Sequence, residues 1–409
     1  MYNIVFWNQK ENLNNVDFYN HYGSTYKQKI MQEKFSRYNI PFSEKIIDND
    51  RFNASDLNIF VIEIKYLNVF LGTLQKQFTN STLNFIRKNN LKIILHYAKE
   101  GHELDNHIEI IYKELTNANL LDNEIFLIFG DRDCKDNYHE NIRKKNLPNF
   151  LKKVFHVNFF ESHYLDTLSD LQEDIKKQNN DIFEKQKEYL FYNGKIRTHR
   201  LLAHYEIKKR KLDKFGFISF IGDTHVPSEY NLEFYKNHIG KLGLLDSDLE
   251  MYLKDWSPLI LDKKSLDFTY KNQNQTCKQH YRNSFFSLVS EMSITTRFYT
   301  EKIYKPLLNG HPFLVLAGRG FLEGLRDDGY MTFPEIFDES YDKEKDPVKR
   351  LFMVIDELEN FCSKSARNKK IQIGLCREKI EHNRNNFLKR AKNSLAQRYS
   401  TIMDDINES

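Results

Sequence analysis

Between Glu291 and Lys302 the chain crowds groups able to grip an anion or a polyol: Glu291, Ser293, Arg297, Thr300, Glu301 and Lys302. A carboxylate can accept hydrogen bonds from two neighbouring hydroxyls at once, and an ammonium neutralises a phosphate. Their setting matters as much as their types. Phe285 to Val289 is an apolar run of strand length and Ser290 to Thr296 is polar. A helical pattern then runs from Thr300 to Leu308, until Gly310 and Pro312 stop it. Thr300 suits the cap of that helix, whose free first-turn N–H groups would lie beside Glu301 and Lys302 and form a ready site for an anion such as phosphate. Taken singly the residues read more plainly, with Glu301 complementing a helix dipole and Lys302 and Lys305 forming a solvated face.

Two other loops carry candidate chemistry. Tyr97-Ala98-Lys99-Glu100-Gly101-His102-Glu103 follows the apolar run Leu91 to His96, and Glu100 is the candidate general base, with Glu103 the alternative. Both carboxylates equally suit the opening of a helix. His96 reads as a core histidine. After Ile125 to Phe129 comes Gly130-Asp131-Arg132-Asp133, where Asp131 and Asp133 could hold a divalent cation against a diphosphate or simply form a turn.

These loops need strands to carry them. Asn3 to Trp7, Leu57 to Ile62, Leu91 to His96, Glu124 to Phe129 and Val154 to Phe160 read as strands, with helical patterns at Ser81 to Lys88, Glu103 to Leu115 and Leu165 to Lys177. Such alternation predicts α/β architecture with a parallel, doubly wound sheet and active groups in the loops after the strands. Residues 176–187 are polar and read as an interdomain linker. Beyond it, Tyr189 to Tyr192 is a strand, Asn193-Gly194-Lys195 a turn, and Thr198 to Lys211 an amphipathic basic helix with Arg197, His199 and Arg200 at its start. Gly216 to Ile221 is the next strand, followed by the turn Gly222 to His225. Asn231 to Trp256 is helical, and His311 to Leu316 is a strand. From Asp346 to about Met403 two helices follow, the last one long and basic.

Glu291-Met292-Ser293 and Tyr299-Thr300-Glu301-Lys302-Ile303, with a small-residue turn before the next strand, resemble the donor-binding segment of the alpha-1,3-fucosyltransferase family and its wider GT-B glycosyltransferase relatives. The resemblance is specific from Phe285 to Phe313 and thin elsewhere. It implies that Glu301 binds the ribose and Lys302 the pyrophosphate of a nucleotide sugar, with Tyr299 and Thr300 in the same segment. The family's strand, Asn turn and helix-opening Arg are matched by Asn193 and Arg200, with Arg197 as the alternative register, and the Arg contacts the pyrophosphate. The resemblance also implies a GT-B fold: two Rossmann-like domains facing a cleft, here residues 1–182 and 183–385, and a final helix, 386–409, returning towards the first domain. The implied reaction is transfer from a nucleotide-sugar substrate, possibly GDP- or UDP-linked, to the hydroxyl of a glycan or other acceptor, inverting and without a metal or separate cofactor. A metal-dependent GT-A-like enzyme centred on Asp131 and Asp133 is the rival, which a second strand–helix domain with its own phosphate site fits poorly. A non-catalytic GT-B domain that binds glycan or a partner is the other.

Composition bounds the rest. A chain of 409 residues exceeds one ordinary core, so two domains of roughly 150–200 residues are expected. With 61 basic against 57 acidic residues the net charge is +4, so no overall field calls for bulk nucleic acid. Cys134, Cys277, Cys362 and Cys376 lie far apart without a Cys-x-x-Cys pair, which argues against a zinc module or a disulfide scaffold and for a reducing compartment. No leader-like start and no long apolar run is seen, and the expectation is a cytoplasmic protein.

Overall fold

The computed structural model describes residues 2–6, 42–46, 57–63, 80–98, 104–166, 185–222, 228–261 and 278–409. The chain divides into two compact units, Met1–Phe159 with Lys392–Ser409, and Phe160–Ala391. The expected boundary between residues 182 and 183 lies outside the described residues.

In the first unit the strands β1 (Tyr2–Phe6), β2 (Phe42–Ile46), β3 (Leu57–Glu63), β4 (Lys92–Tyr97), β5 (Ile125–Phe129) and β6 (Lys153–His156) form a parallel sheet in the order β2-β1-β3-β4-β5-β6. Helices α1 (Asn80–Lys88), α2 (Ile108–Asn117) and α3 (Cys134–Lys144) connect them. The Ile-Phe-Leu-Ile-Phe of β5 is buried throughout, as a strand must be when helices cover both faces of a parallel sheet. The expected strand at Val154 to Phe160 stops at His156. β5, the strand it pairs with, ends at Phe129, whose carbonyl takes the Val157 N–H, so no ladder remains beyond it. Phe159 instead opens α4 (Phe159–Asp166), whose Tyr164 joins the core of the second unit.

The second unit holds β7 (Lys187–Asn193), α5 (Thr198–Lys209), β8 (Gly216–Phe220), α6 (Ser228–Lys241), α7 (Ser247–Lys254), α8 (Lys278–Arg282), β9 (Ser284–Ser290), α9 (Glu301–Asn309), β10 (Phe313–Leu316), α10 (Phe321–Asp327), α11 (Pro347–Ser363), α12 (Ala366–Leu375) and α13 (Arg377–Glu408). Its parallel sheet runs β10-β9-β7-β8. The chain moves from β7 to β8 on one side and then returns to β9 on the other, so the order reverses between β7 and β9. Ligands of open α/β sheets bind at such a reversal, beyond the carboxyl ends of the strands.

Several element expectations are corrected. α5 is not amphipathic: His199 through Ile207 are all buried, because the helix is enclosed by the core rather than lying on it. The single helix expected from Asn231 to Trp256 is two, separated where Gly243 takes φ 69° and Asp246 caps α7 by accepting from the Leu249 N–H at 2.7 Å. The pair expected after Asp346 is three, broken where Ser365 caps α12 and again at Cys376. The strand expected from His311 starts at Phe313. His311 instead bonds the Ser287 hydroxyl at 2.9 Å and donates to the Ser284 carbonyl at 2.8 Å.

α13 begins in the second unit, and the unit boundary falls within it. Its last turns belong to the first unit, where Tyr399, Ile402, Met403 and Ile406 are buried and Lys92 donates to the Ile406 carbonyl at 2.7 Å. Among the described residues no helix is long and apolar enough to cross a membrane.

Candidate functional site

The carboxyl ends of β7 and β9 carry Asn193 and Ser290. The β7–β9 register pairs Tyr189 with Phe286 and Leu190 with Ser287. The same offset sets Asn193 opposite Ser290, and in-register residues of parallel strands share a sheet face. Both are buried, at 2% and 1% exposure. Neither atom of the Asn193 amide nor the Ser290 hydroxyl has a hydrogen-bond partner among the described residues. Buried polar groups are nearly always paired, so these orphans make the strand ends the candidate site.

α5 starts directly beyond β7. Arg197 occupies its N-cap position in extended conformation, and no side chain caps the helix. Arg200, 2% exposed, turns back on the strand ends: Nη1 donates to the Lys195 carbonyl at 2.9 Å, and Nη2 to the Ser290 and Glu291 carbonyls at 3.2 and 3.0 Å. Burial, with Arg197 adding repulsion, pulls this guanidinium down to about 10, and its Nε is a further orphan. Expected to grip pyrophosphate, Arg200 thus has both Nη groups on backbone carbonyls. Arg197, the other register, is half-buried beside it.

His199 bonds the Glu291 carbonyl through Nε2 at 3.0 Å. Burial and then Arg200 push the ring down to about 3, with Arg197 and Lys302 contributing, so it is neutral and Nε2–H is the donor. Sequence reading noted His199 only as part of a basic cluster; its burial had no local signal.

Glu291 is fully buried, and its carboxylate accepts from both the backbone N–H of Thr300, at 3.3 Å, and the Thr300 hydroxyl. Burial raises its pKa, against the opposing pull of Lys302 and Thr300. Thr300 caps α9 as expected, its Oγ1 accepting from the Lys302 N–H and Nζ, each at 3.3 Å. Lys302 Nζ also bonds Glu301 Oε1 at 2.8 Å. Burial raises the Glu301 pKa, but Lys302 and Lys305 outweigh it and hold the carboxyl at about 2. Glu301 is therefore an ionised acceptor at neutral pH, the state needed to take two hydroxyls.

Ser293 and Tyr299 serve the loop itself. The Ser293 oxygen accepts from the N–H groups of Thr295 and Thr296 at 3.1 and 3.2 Å, and the buried Tyr299 donates its hydroxyl to the Phe321 carbonyl at 3.0 Å. Ser290 was missed from sequence, where it reads only as the first residue of the polar stretch after an apolar run.

Glu100 and Glu103 lie outside the described residues, as do Asp223, Thr224 and His225. Asp131 is buried, with Oδ1 accepting from the Asp133 N–H at 3.3 Å and Oδ2 from the Asn137 side chain at 2.8 Å, a turn that opens α3. Asp133 occupies the N-cap position of that helix.

No protein-family model matches the chain, and no curated protein matches it. Among solved structures it is similar to an alpha,alpha-trehalose-phosphate synthase (UDP-forming) from Burkholderia vietnamiensis, at 10% identity and TM-score 0.42 over 88% of this chain and 73% of that one. It is also similar to a UDP-forming alpha,alpha-trehalose-phosphate synthase from Burkholderia xenovorans, at 11% identity and TM-score 0.40 over 85% and 74%. An alpha1,3-fucosyltransferase follows at 8% identity and TM-score 0.32 over 96% and 90%.

Proposed function

We propose that this chain is a GT-B-type glycosyltransferase that binds a nucleoside-diphosphate sugar at the β7–β9 reversal of its second unit and transfers the sugar to an acceptor hydroxyl. The observation that carries the reading is the cluster of orphaned buried groups, Asn193, Ser290 and Arg200 Nε, beside the uncapped start of α5. An uncapped helix start with a flanking guanidinium favours an anion, and an amide with a hydroxyl suits the oxygens of a diphosphate or sugar. Lys302 adds charge, and ionised Glu301 accepts the ribose hydroxyls, in keeping with the Thr-Glu-Lys resemblance. Arg197 takes the diphosphate role, and Arg200 fixes the strand ends around it.

The reaction is displacement at the anomeric carbon. The acceptor oxygen bonds to that carbon while its proton passes to Glu100. The bond to the leaving phosphate oxygen breaks, and the electron pair departs with the diphosphate, stabilised by Arg197, Lys302 and the α5 N-terminus. Inversion follows from a single displacement. The test is incubation with a panel of UDP- and GDP-sugars, reading release of nucleoside diphosphate. Release from one donor, abolished in Arg197→Ala, is expected; no release from any donor, with and without a mixed glycan acceptor pool, would overturn the reading.

A further inference from the structure

The loop of residues 292–299 joins β9 to α9 and carries Ser293 and Arg297, but it is neither strand nor helix. Something must fix it if the groups at its two ends are to meet one ligand. Arg350, the fourth residue of α11, is buried at 3% exposure and donates to carbonyls of three separate segments. Nε reaches Ala317 at the end of β10 at 2.9 Å, Nη1 reaches Glu344, and Nη2 reaches Ile294 within the loop. Asp342, Glu344 and Asp346 lie close enough to favour its charge, against the burial that lowers its pKa. Next to Ala317 stands Gly318, where an added Cβ would lie 2.2 Å from the Thr296 carbonyl oxygen, so the loop backbone rests on a position that admits only glycine. A planar guanidinium with donors fanned in fixed directions suits bridging of this kind; an ammonium on the same stem cannot reach all three carbonyls together.

We propose that Arg350 is a positioning residue of the donor site: it clamps residues 292–299 to the end of β10, so that the first turn of α9, with Glu301 and Lys302, is preset for the ligand. Arg200 engages the same loop where it leaves β9, through the Ser290 and Glu291 carbonyls, so each flank of the site has its own buried guanidinium. The ligand part of this inference rests on the proposed function; the clamp itself does not. Hydrogen exchange on the ligand-free protein separates the two. In Arg350→Ala, and more mildly in Arg350→Lys should the alanine variant fail to fold, exchange is expected to accelerate in residues 292–300 while β7, β9 and α5 keep wild-type protection. Titration with UDP and GDP is expected to show about tenfold or more loss of affinity, partly restored in Arg350→Ala by millimolar guanidinium. Unchanged exchange in the loop, or acceleration spread evenly over the second unit, would overturn the clamp. Loop loosening with undiminished affinity would overturn the positioning role. A wild-type protein that binds neither nucleotide would refute the proposed function and the positioning role, and leave the clamp to be judged by exchange alone.

Discussion

Histidine and carboxylate behaviour sets the chemistry at the scale of single residues. His199 is held neutral by burial at about 3, against an ordinary value of 6.5, so the unfolded chain takes up its proton first as pH falls. Its cost is absent above pH 6.5 and grows as pH drops from there towards 3, with a slope of about 1.4 kcal/mol per pH unit. His311, also at about 3, and His204, at about 4, act in the same direction. His199→Gln keeps a donor for the Glu291 carbonyl and cannot titrate. Melting curves between about pH 6.5 and 4.5 should therefore fall less steeply for that variant, and parallel curves would exclude His199 as a contributor. Glu100 is judged by rate. Glu100→Gln should lower transfer by about a hundredfold with donor affinity nearly constant, Glu103→Gln serving as control. Near-normal turnover of Glu100→Gln beside a large loss in Glu103→Gln would move the base to Glu103, and normal rates for both would remove this loop from the mechanism.

At the scale of elements, α9 depends on one hydroxyl. Thr300 caps the helix and donates to buried Glu291, so Thr300→Val removes a cap worth about 1 kcal/mol and strips a buried carboxylate of a partner worth about 1–3 kcal/mol. A fall of roughly 2–4 kcal/mol in denaturant unfolding is expected, with Thr300→Ser close to wild type; a valine variant of wild-type stability would show that Glu291 needs no such partner. This segment was legible in sequence because cap, apolar strand and stop signals agree: Thr300 precedes the helix, and Gly310 ends it at φ 67°. β5 was legible as an uninterrupted apolar run. α3 was not, since its buried stripe is Cys134, Tyr138, Asn141 and Ile142 within an otherwise polar stretch. α5 was misread because polar residues such as His199, Arg200, His204 and Glu206, buried in its middle, look like a solvated face until their partners are known. For the same reason the bonds of Arg200 to the Ser290 and Glu291 carbonyls could not be read from sequence, since they depend on a strand ninety residues away.

For the whole molecule, the division into units makes the last helix a shared element whose end completes the first core. Tyr399, Ile402, Met403 and Ile406 are each at most 2% exposed, and burial of such side chains contributes about 1.5–3 kcal/mol apiece, which together rivals the roughly 5–15 kcal/mol stability of a domain. Truncation after Ala391 should leave the second unit with its own thermal transition and expose the first to protease; two intact transitions would refute that dependence. The second unit alone holds the groups proposed to bind the donor, so binding tests the functional reading without knowledge of the acceptor. The most direct measurement is calorimetric titration of UDP and GDP into wild-type protein, Arg197→Ala and Lys302→Ala. Expected are saturable binding of at least one nucleotide to wild type and a loss of about tenfold or more in each variant. Equal affinity in all three proteins, or no binding to wild type, would contradict a nucleoside-diphosphate site at the β7–β9 reversal.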